Sequence, residues 1–140
     1  MANQSEPRSN PDTLTKGVVP YIQVEGAVAA IDFYKRAFGA REISRAANDD
    51  GSKIINCQLE INGGLLMVMD AMPEHGFPLQ PSHSYTMQLL VPDGQAWFDR
   101  AVEAGCKVTS PFQKMFWGDL WGSVMDPFGI RWGVDQPANG

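Results

Sequence analysis

The chain has 140 residues, 44% hydrophobic and 19% charged, enough to bury one core without staples and too little for two large domains. Eleven Lys and Arg against sixteen Asp and Glu leave a formal charge of −5, which repels phosphate backbones and argues against nucleic acid as a partner. The longest apolar run, Leu65 to Met69, falls far short of the roughly 20 residues of a spanning helix, so a membrane partner is not expected either.

Residues 1–16 are rich in Ser, Asn, Pro and charge and read as a solvated tail with no secretory signal. Together with two widely separated cysteines, Cys57 and Cys106, this predicts reduced thiols and a cytoplasmic location. Val18 to Val24 has strand character. Ala27 to Phe38 is predicted as a helix, because Ala27, Ala30, Ile31, Tyr34 and Phe38 recur at three- and four-residue spacing. Gly39 supplies the left-handed residue that ends it. Strand signals follow over Ala40 to Arg45, Lys53 to Ile61 and Leu65 to Met69, the last two joined by the hairpin turn Asn62-Gly63-Gly64.

The same pattern then repeats. Tyr85 to Val91 is strand-like, Pro92-Asp93-Gly94 is a turn, and Gln95 to Ala104 is a helix stopped by Gly105. Lys107 to Thr109, Leu120 to Met125 and Ile130 to Val134 are predicted strands, with the turn Asp126-Pro127-Phe128-Gly129 before the last. Each half therefore reads β-α-β-β-β: an α+β domain over 17–136, made of modules 17–70 and 84–136. Residues 71–83, rich in Pro and without periodicity, are expected to link them. Since one helix covers one sheet face, the two halves are expected to cooperate in burying or lining the other.

The stretch VPYIQVEGAVAAIDFYKRAFGA from Val19, the apolar LLMVMDA after a Gly turn, and the ending WGDLWGSVMDPFGIRWGV carry a family resemblance. The chain resembles the vicinal-oxygen-chelate superfamily of glyoxalase, bleomycin-resistance and dioxygenase proteins, and within it the PhnB-like branch. The resemblance implies paired βαβββ modules curled into a cup, and homodimers in which two chains complete or share the cups. It also implies a divalent metal held by His and Glu, side chains that suit Zn, Ni, Mn or Fe. The positions it assigns to those ligands carry Val19, Asn56, Gln58, Thr86 and Gly133 here, and Ile130 replaces the His of the DPFGHRW ending. The two histidines, His75 and His83, both fall in the expected linker. Glu60 is expected to enter the cup only through an odd-numbered shift of register.

With those positions altered, the expected role is binding or sequestering a small apolar or aromatic molecule with no cofactor. The expected lining is Tyr21, Gln23, Asn56, Gln58, Met67, Met69, Gln88, Phe116, Trp117, Trp121 and Trp132, in which rings and sulfur supply burial and amides fix orientation. Arg131 is expected to pair with an acid such as Asp126. Two other readings stay open: an enzyme using a divalent metal, and a structural or regulatory dimer whose cup is filled by side chains.

Overall fold

A computed structural model describes Leu14 and residues 16–138. Most of the expected N-terminal tail lies outside that range, although Leu14 is buried. The first half comprises β1 (Tyr21–Val24), α1 (Ala27–Phe38), β2 (Arg41–Ala47), β3 (Ile54–Ile61) and β4 (Gly64–Asp70). The second comprises β5 (Met87–Leu90), α2 (Gly94–Ala104), β6 (Lys107–Lys114), β7 (Leu120–Met125) and β8 (Arg131–Gln136). The two sheets have equivalent orders, β1-β4-β3-β2 and β5-β8-β7-β6, and are not joined to one another. In each, the first strand runs parallel to the last, and the remaining pairs are antiparallel hairpins.

α1 has no side-chain cap of its own, since Gly26 stands at its N-cap. Asp70, from the end of β4, takes over that duty. Its Oδ1 accepts from the backbone N–H groups of Gly26 (3.1 Å) and Ala27 (2.8 Å), and its Oδ2 accepts from that of Ile54 (2.8 Å). One buried carboxylate thus satisfies orphan donors of the helix and ties β3 to them. α2 is capped locally, Asp93 accepting from Ala96 N at 3.2 Å.

The halves meet through their helices rather than through their uncovered sheet faces. α1 packs on the first sheet, α2 on the second, and the helices pack on each other. Tyr34 and Phe38 of α1 reach Trp132 of β8, with ring centroids 5.5 and 4.2 Å away, so one core spans both halves. The expectation that the halves would jointly line the other sheet faces is therefore corrected. Within this chain each sheet keeps one face free of helix, turned away from the helical layer.

Other expectations shift locally. β6 runs on to Lys114, through Pro111, because register shifts around Ser110 relieve that edge strand of regular pairing. The expected linker holds a single 3₁₀ turn, Pro73–His75, closed by a bridge between Met72 and Phe77. Asp126 does not pair with Arg131. Its Oδ1 accepts from the N–H groups of Phe128 (2.8 Å) and Ile130 (3.0 Å), and its Oδ2 from the Tyr34 hydroxyl (2.7 Å) and Trp132 Nε1 (2.9 Å).

Candidate functional site

Alternation along β1 and β4 turns Ile22, Val24, Leu66 and Val68 into the core and leaves Tyr21, Gln23, Met67 and Met69 on the open face. Register places Tyr21 beside Met67 and Gln23 beside Met69. On β3 a bulge breaks the alternation. Ala46 pairs with Asn56 but Ala47 with Ile54, so Ile55 is the extra residue. Ile54 can then enter the core while Ile55 is left on the open side, 45% exposed. The Tyr21 hydroxyl donates to the Ile55 carbonyl at 2.8 Å and clamps the bulge. That hydroxyl is committed to the backbone.

Over this face lies a cleft of about 530 Å³. Its floor is Tyr21, Gln23, Ile55 and Met69; one end is formed by Asn48 and Lys53, and the other wall by Met72, Glu74, His75 and Phe77. The segment read as a linker is thus a strap that builds half the site. The 3₁₀ turn holds it in place: Gly76 N donates to Pro73 O, and Met72 and Phe77 exchange backbone hydrogen bonds of 2.7 and 3.0 Å. Pro73 and Gly76 were the available turn signal in the sequence, but nothing in their spacing says which sheet face the turn covers. The strap residues were missed for that reason, and Ile55 because the bulge that turns it outward leaves no clear mark in the sequence.

Of the expected lining, Tyr21, Gln23 and Met69 reach the cleft. Asn56, Gln58 and Met67 share its sheet face without lining it; Gln58 pairs with Met67 in register, and Asn56 Nδ2 lies 3.5 Å from Met67 Sδ. Glu60 shares the face of Asn56 and Gln58 by plain alternation, which corrects the expectation that only an odd-numbered register shift could bring it there, and it is ion-paired with Arg41. Gln88 and Trp121 stand on the open face of the second sheet. Phe116 and Trp117 form an exposed edge-to-face pair at the β6–β7 turn, centroids 4.9 Å apart. Trp132 is not on an open face at all. It is 2% exposed, stacked on Phe38, and touches only a smaller hollow of about 220 Å³ at the seam between the halves.

On the second sheet the amide of Gln88 lies over Gly133. A Cβ at that glycine would stand 2.2 Å from Gln88 Oε1 and 3.1 Å from Trp121 Nε1. Trp121 Nε1 donates to Gln88 Oε1 (3.4 Å), and Gln88 Nε2 donates to Asp135 Oδ2 (3.3 Å). Burial, with Asp119 beside it, raises the Asp135 carboxyl above the usual carboxylate range.

Chemically the cleft offers burial and orientation. Its apolar floor suits a hydrophobic body, and Gln23 and Asn48 supply neutral polar atoms. Neither cysteine is an activated nucleophile: burial raises both thiols, that of Cys106 to about 12. Among the described residues no group of three or more His, Cys, Asp or Glu is drawn together as a metal would require.

Comparison with known proteins accords with this architecture. The model of the Glyoxalase/Bleomycin resistance protein/Dioxygenase superfamily matches residues 17–134. Uncharacterized protein Mb0911c of Mycobacterium bovis is 40% identical over 124 residues, covering 84% of this chain and 81% of its own. The crystal structure of protein PA1353 from Pseudomonas aeruginosa superposes with a TM-score of 0.69 at 25% identity, covering 87% of this chain and 98% of its own. The fosfomycin resistance protein FosX from Listeria monocytogenes, crystallised with Mn(II) and sulfate, shares the fold at a TM-score of 0.65 and 13% identity, over 88% of this chain and 93% of its own. The chain belongs to the Glyoxalase/Bleomycin resistance protein/Dioxygenase superfamily. At the positions where the resemblance implies metal ligands, Val19, Asn56, Gln58, Thr86 and Gly133 bring no imidazole or carboxylate. At Gly133 the neighbouring Gln88 amide occupies the space. Among these positions Asn56 and Gln58 offer neutral amide oxygens, and Val19 and Gly133 offer no side-chain donor.

Proposed function

We propose that this member of the superfamily is a PhnB-like protein that binds or sequesters a small apolar or aromatic molecule in the cleft on its first sheet. The branch assignment rests on Ile31-Asp32-Phe33-Tyr34 with Phe38-Gly39-Ala40, together with Asp126-Pro127-Phe128-Gly129 and Arg131-Trp132. The observation that carries the function is the cleft itself: about 530 Å³, floored by Tyr21, Ile55 and Met69 and walled by Met72 and Phe77. That volume lies within the range of small-molecule sites. Thermal-shift screening against small metabolites and aromatic antibiotics tests it, since a guest raises apparent stability by mass action. Stabilisation that grows with guest concentration and vanishes in Gln23→Trp, which fills the floor, supports the reading. Hits indifferent to that substitution overturn it.

The same reading makes the protein a cytoplasmic homodimer that works without a metal. The open face of the second sheet is available to a second copy, and Leu90, Phe116 and Trp117 add exposed apolar surface. Sedimentation equilibrium tests the assembly. Elemental analysis of protein purified without chelator tests the chemistry; stoichiometric Zn, Ni, Mn or Fe would favour a metal-dependent enzyme instead. No helix among the described residues is long and apolar enough to cross a membrane.

A further inference from the structure

The walls of the cleft are apolar or neutral except for Lys53, Glu74 and His75. Glu74 and His75 sit on the strap and are exposed. Lys53 differs from both, because it is half-buried and belongs to the sheet end of the cleft. Its backbone is held from two sides. Lys53 N donates to Asn48 Oδ1 at 3.1 Å, and its carbonyl accepts from Asn48 N at 2.9 Å. Asn48 Nδ2 in turn donates to Ser52 Oγ at 3.3 Å, so the loop between β2 and β3 is closed on itself and fixes where the lysine stem begins.

The other charges along β2 and β3 are matched. Glu42 takes Lys35 and Arg45, and Glu60 takes Arg41. Among the described residues the Lys53 ammonium has neither an ion pair nor a side-chain hydrogen bond. A half-buried lysine without a counter-charge, at one end of an otherwise largely apolar cleft, is a position that an anion would complement. The exposed Glu74 carboxylate, hydrated and screened, opposes such an anion only weakly.

We infer that the guest of this cleft is an apolar or aromatic body bearing one anionic group, a carboxylate, sulfonate or phosphate, seated on the Lys53 ammonium with the body across Tyr21, Ile55, Met69 and Phe77. The inference rests on the reading of the cleft as a binding site and adds the charge class of what enters it.

A matched pair of fluorescent probes separates the two. 1-Anilinonaphthalene-8-sulfonate and N-phenyl-1-naphthylamine share the ring system and differ in the sulfonate. Titration of the full chain is expected to give about fivefold or tighter binding of the sulfonate probe, the scale of one partly exposed charge-assisted contact. Lys53→Met, which keeps most of the stem, should erase that preference, and Lys53→Arg should restore it. Circular dichroism melts establish that these variants are folded, and Gln23→Trp should displace both probes. Equal affinity of the two probes for the native chain, or a preference that survives Lys53→Met, overturns the inference and leaves the binding site standing. Failure of both probes to bind, or binding indifferent to Gln23→Trp, overturns both.

Discussion

The hydroxyl of Tyr34 donates to Oδ2 of Asp126 at 2.7 Å, between residues 92 positions apart in the chain. Tyr34 lies on the first helix and Asp126 at the turn before the last strand, so this bond joins the two repeats through the core. Burial, reinforced by the adjacent Asp126, raises the Tyr34 phenol well above its ordinary value and keeps it a donor. Asp126→Ala would leave four donors without their acceptor and should cost roughly 3 kcal/mol or more in urea unfolding. Tyr34→Phe removes one neutral donor and should cost less, about 1–2 kcal/mol, although it leaves Asp126 short of one partner.

Asp70 performs the equivalent service inside the first repeat, where Gly26 offers no side chain to cap α1. Asp70→Ala is expected to lower stability by about 2–4 kcal/mol, since it strands buried backbone donors of the helix and of β3 together. Asp93→Ala, at the exposed cap of α2, should cost about 1 kcal/mol. Equal losses in the two variants, measured by denaturant titration, would show that Asp70 does not act on both elements.

Gly133 and Gln88 should behave as a coupled pair. In Gly133→Ala the new methyl collides with the Gln88 amide, which must swing away and give up its bonds to Trp121 and Asp135. A loss of about 1–2 kcal/mol is expected. In a Gln88→Ala background the amide is gone and the new Cβ meets only Trp121 Nε1 at 3.1 Å, so a double-mutant cycle should show a coupling of at least about 0.5 kcal/mol.

Stability should fall on the alkaline side, and the sign follows from linkage. Burial raises the Cys106 thiol to about 12, whereas an unfolded thiol ionises near 8.5–9. Below that range both states hold the proton and pH has no leverage through this group. Between about pH 9 and 12 the unfolded chain releases the proton while the native chain retains it, so stability declines with rising pH. Cys57 and Tyr34 are shifted in the same direction and add to the decline. Urea midpoints for Cys106→Ala should therefore drop less steeply than those of the native chain over this interval, with parallel curves below pH 8.

Within the cleft the amides are not equivalent. Gln23→Ala should weaken guest binding severalfold in calorimetric titration, because Gln23 lines the floor, whereas Gln58→Ala, on the same sheet face but outside the lining, should change it less than about twofold. Tyr21→Phe should likewise leave affinity nearly unchanged and lower stability by about 1 kcal/mol, since the hydroxyl holds the β3 bulge rather than the guest.

Much of the fold was legible in the residues. The helix Ala27–Phe38 follows from apolar spacing and the glycine after it, and the strand Leu120–Met125 from its composition and bounding turns. The β-α-β-β-β repeat was equally plain, because local period and turn chemistry act between neighbours in sequence. What only the tertiary structure decided depends on contacts between distant residues. Trp132 looks like any strand tryptophan until Phe38 and Asp126 take up its two ends. Ile55 reaches the open face because one bulge moves Ile54 into the core, and a single extra residue leaves little trace in a run of apolar side chains. The strap from Met72 to Phe77 resembles a linker because its role comes from the sheet beneath it, and periodicity cannot report what a segment without a period is folded against.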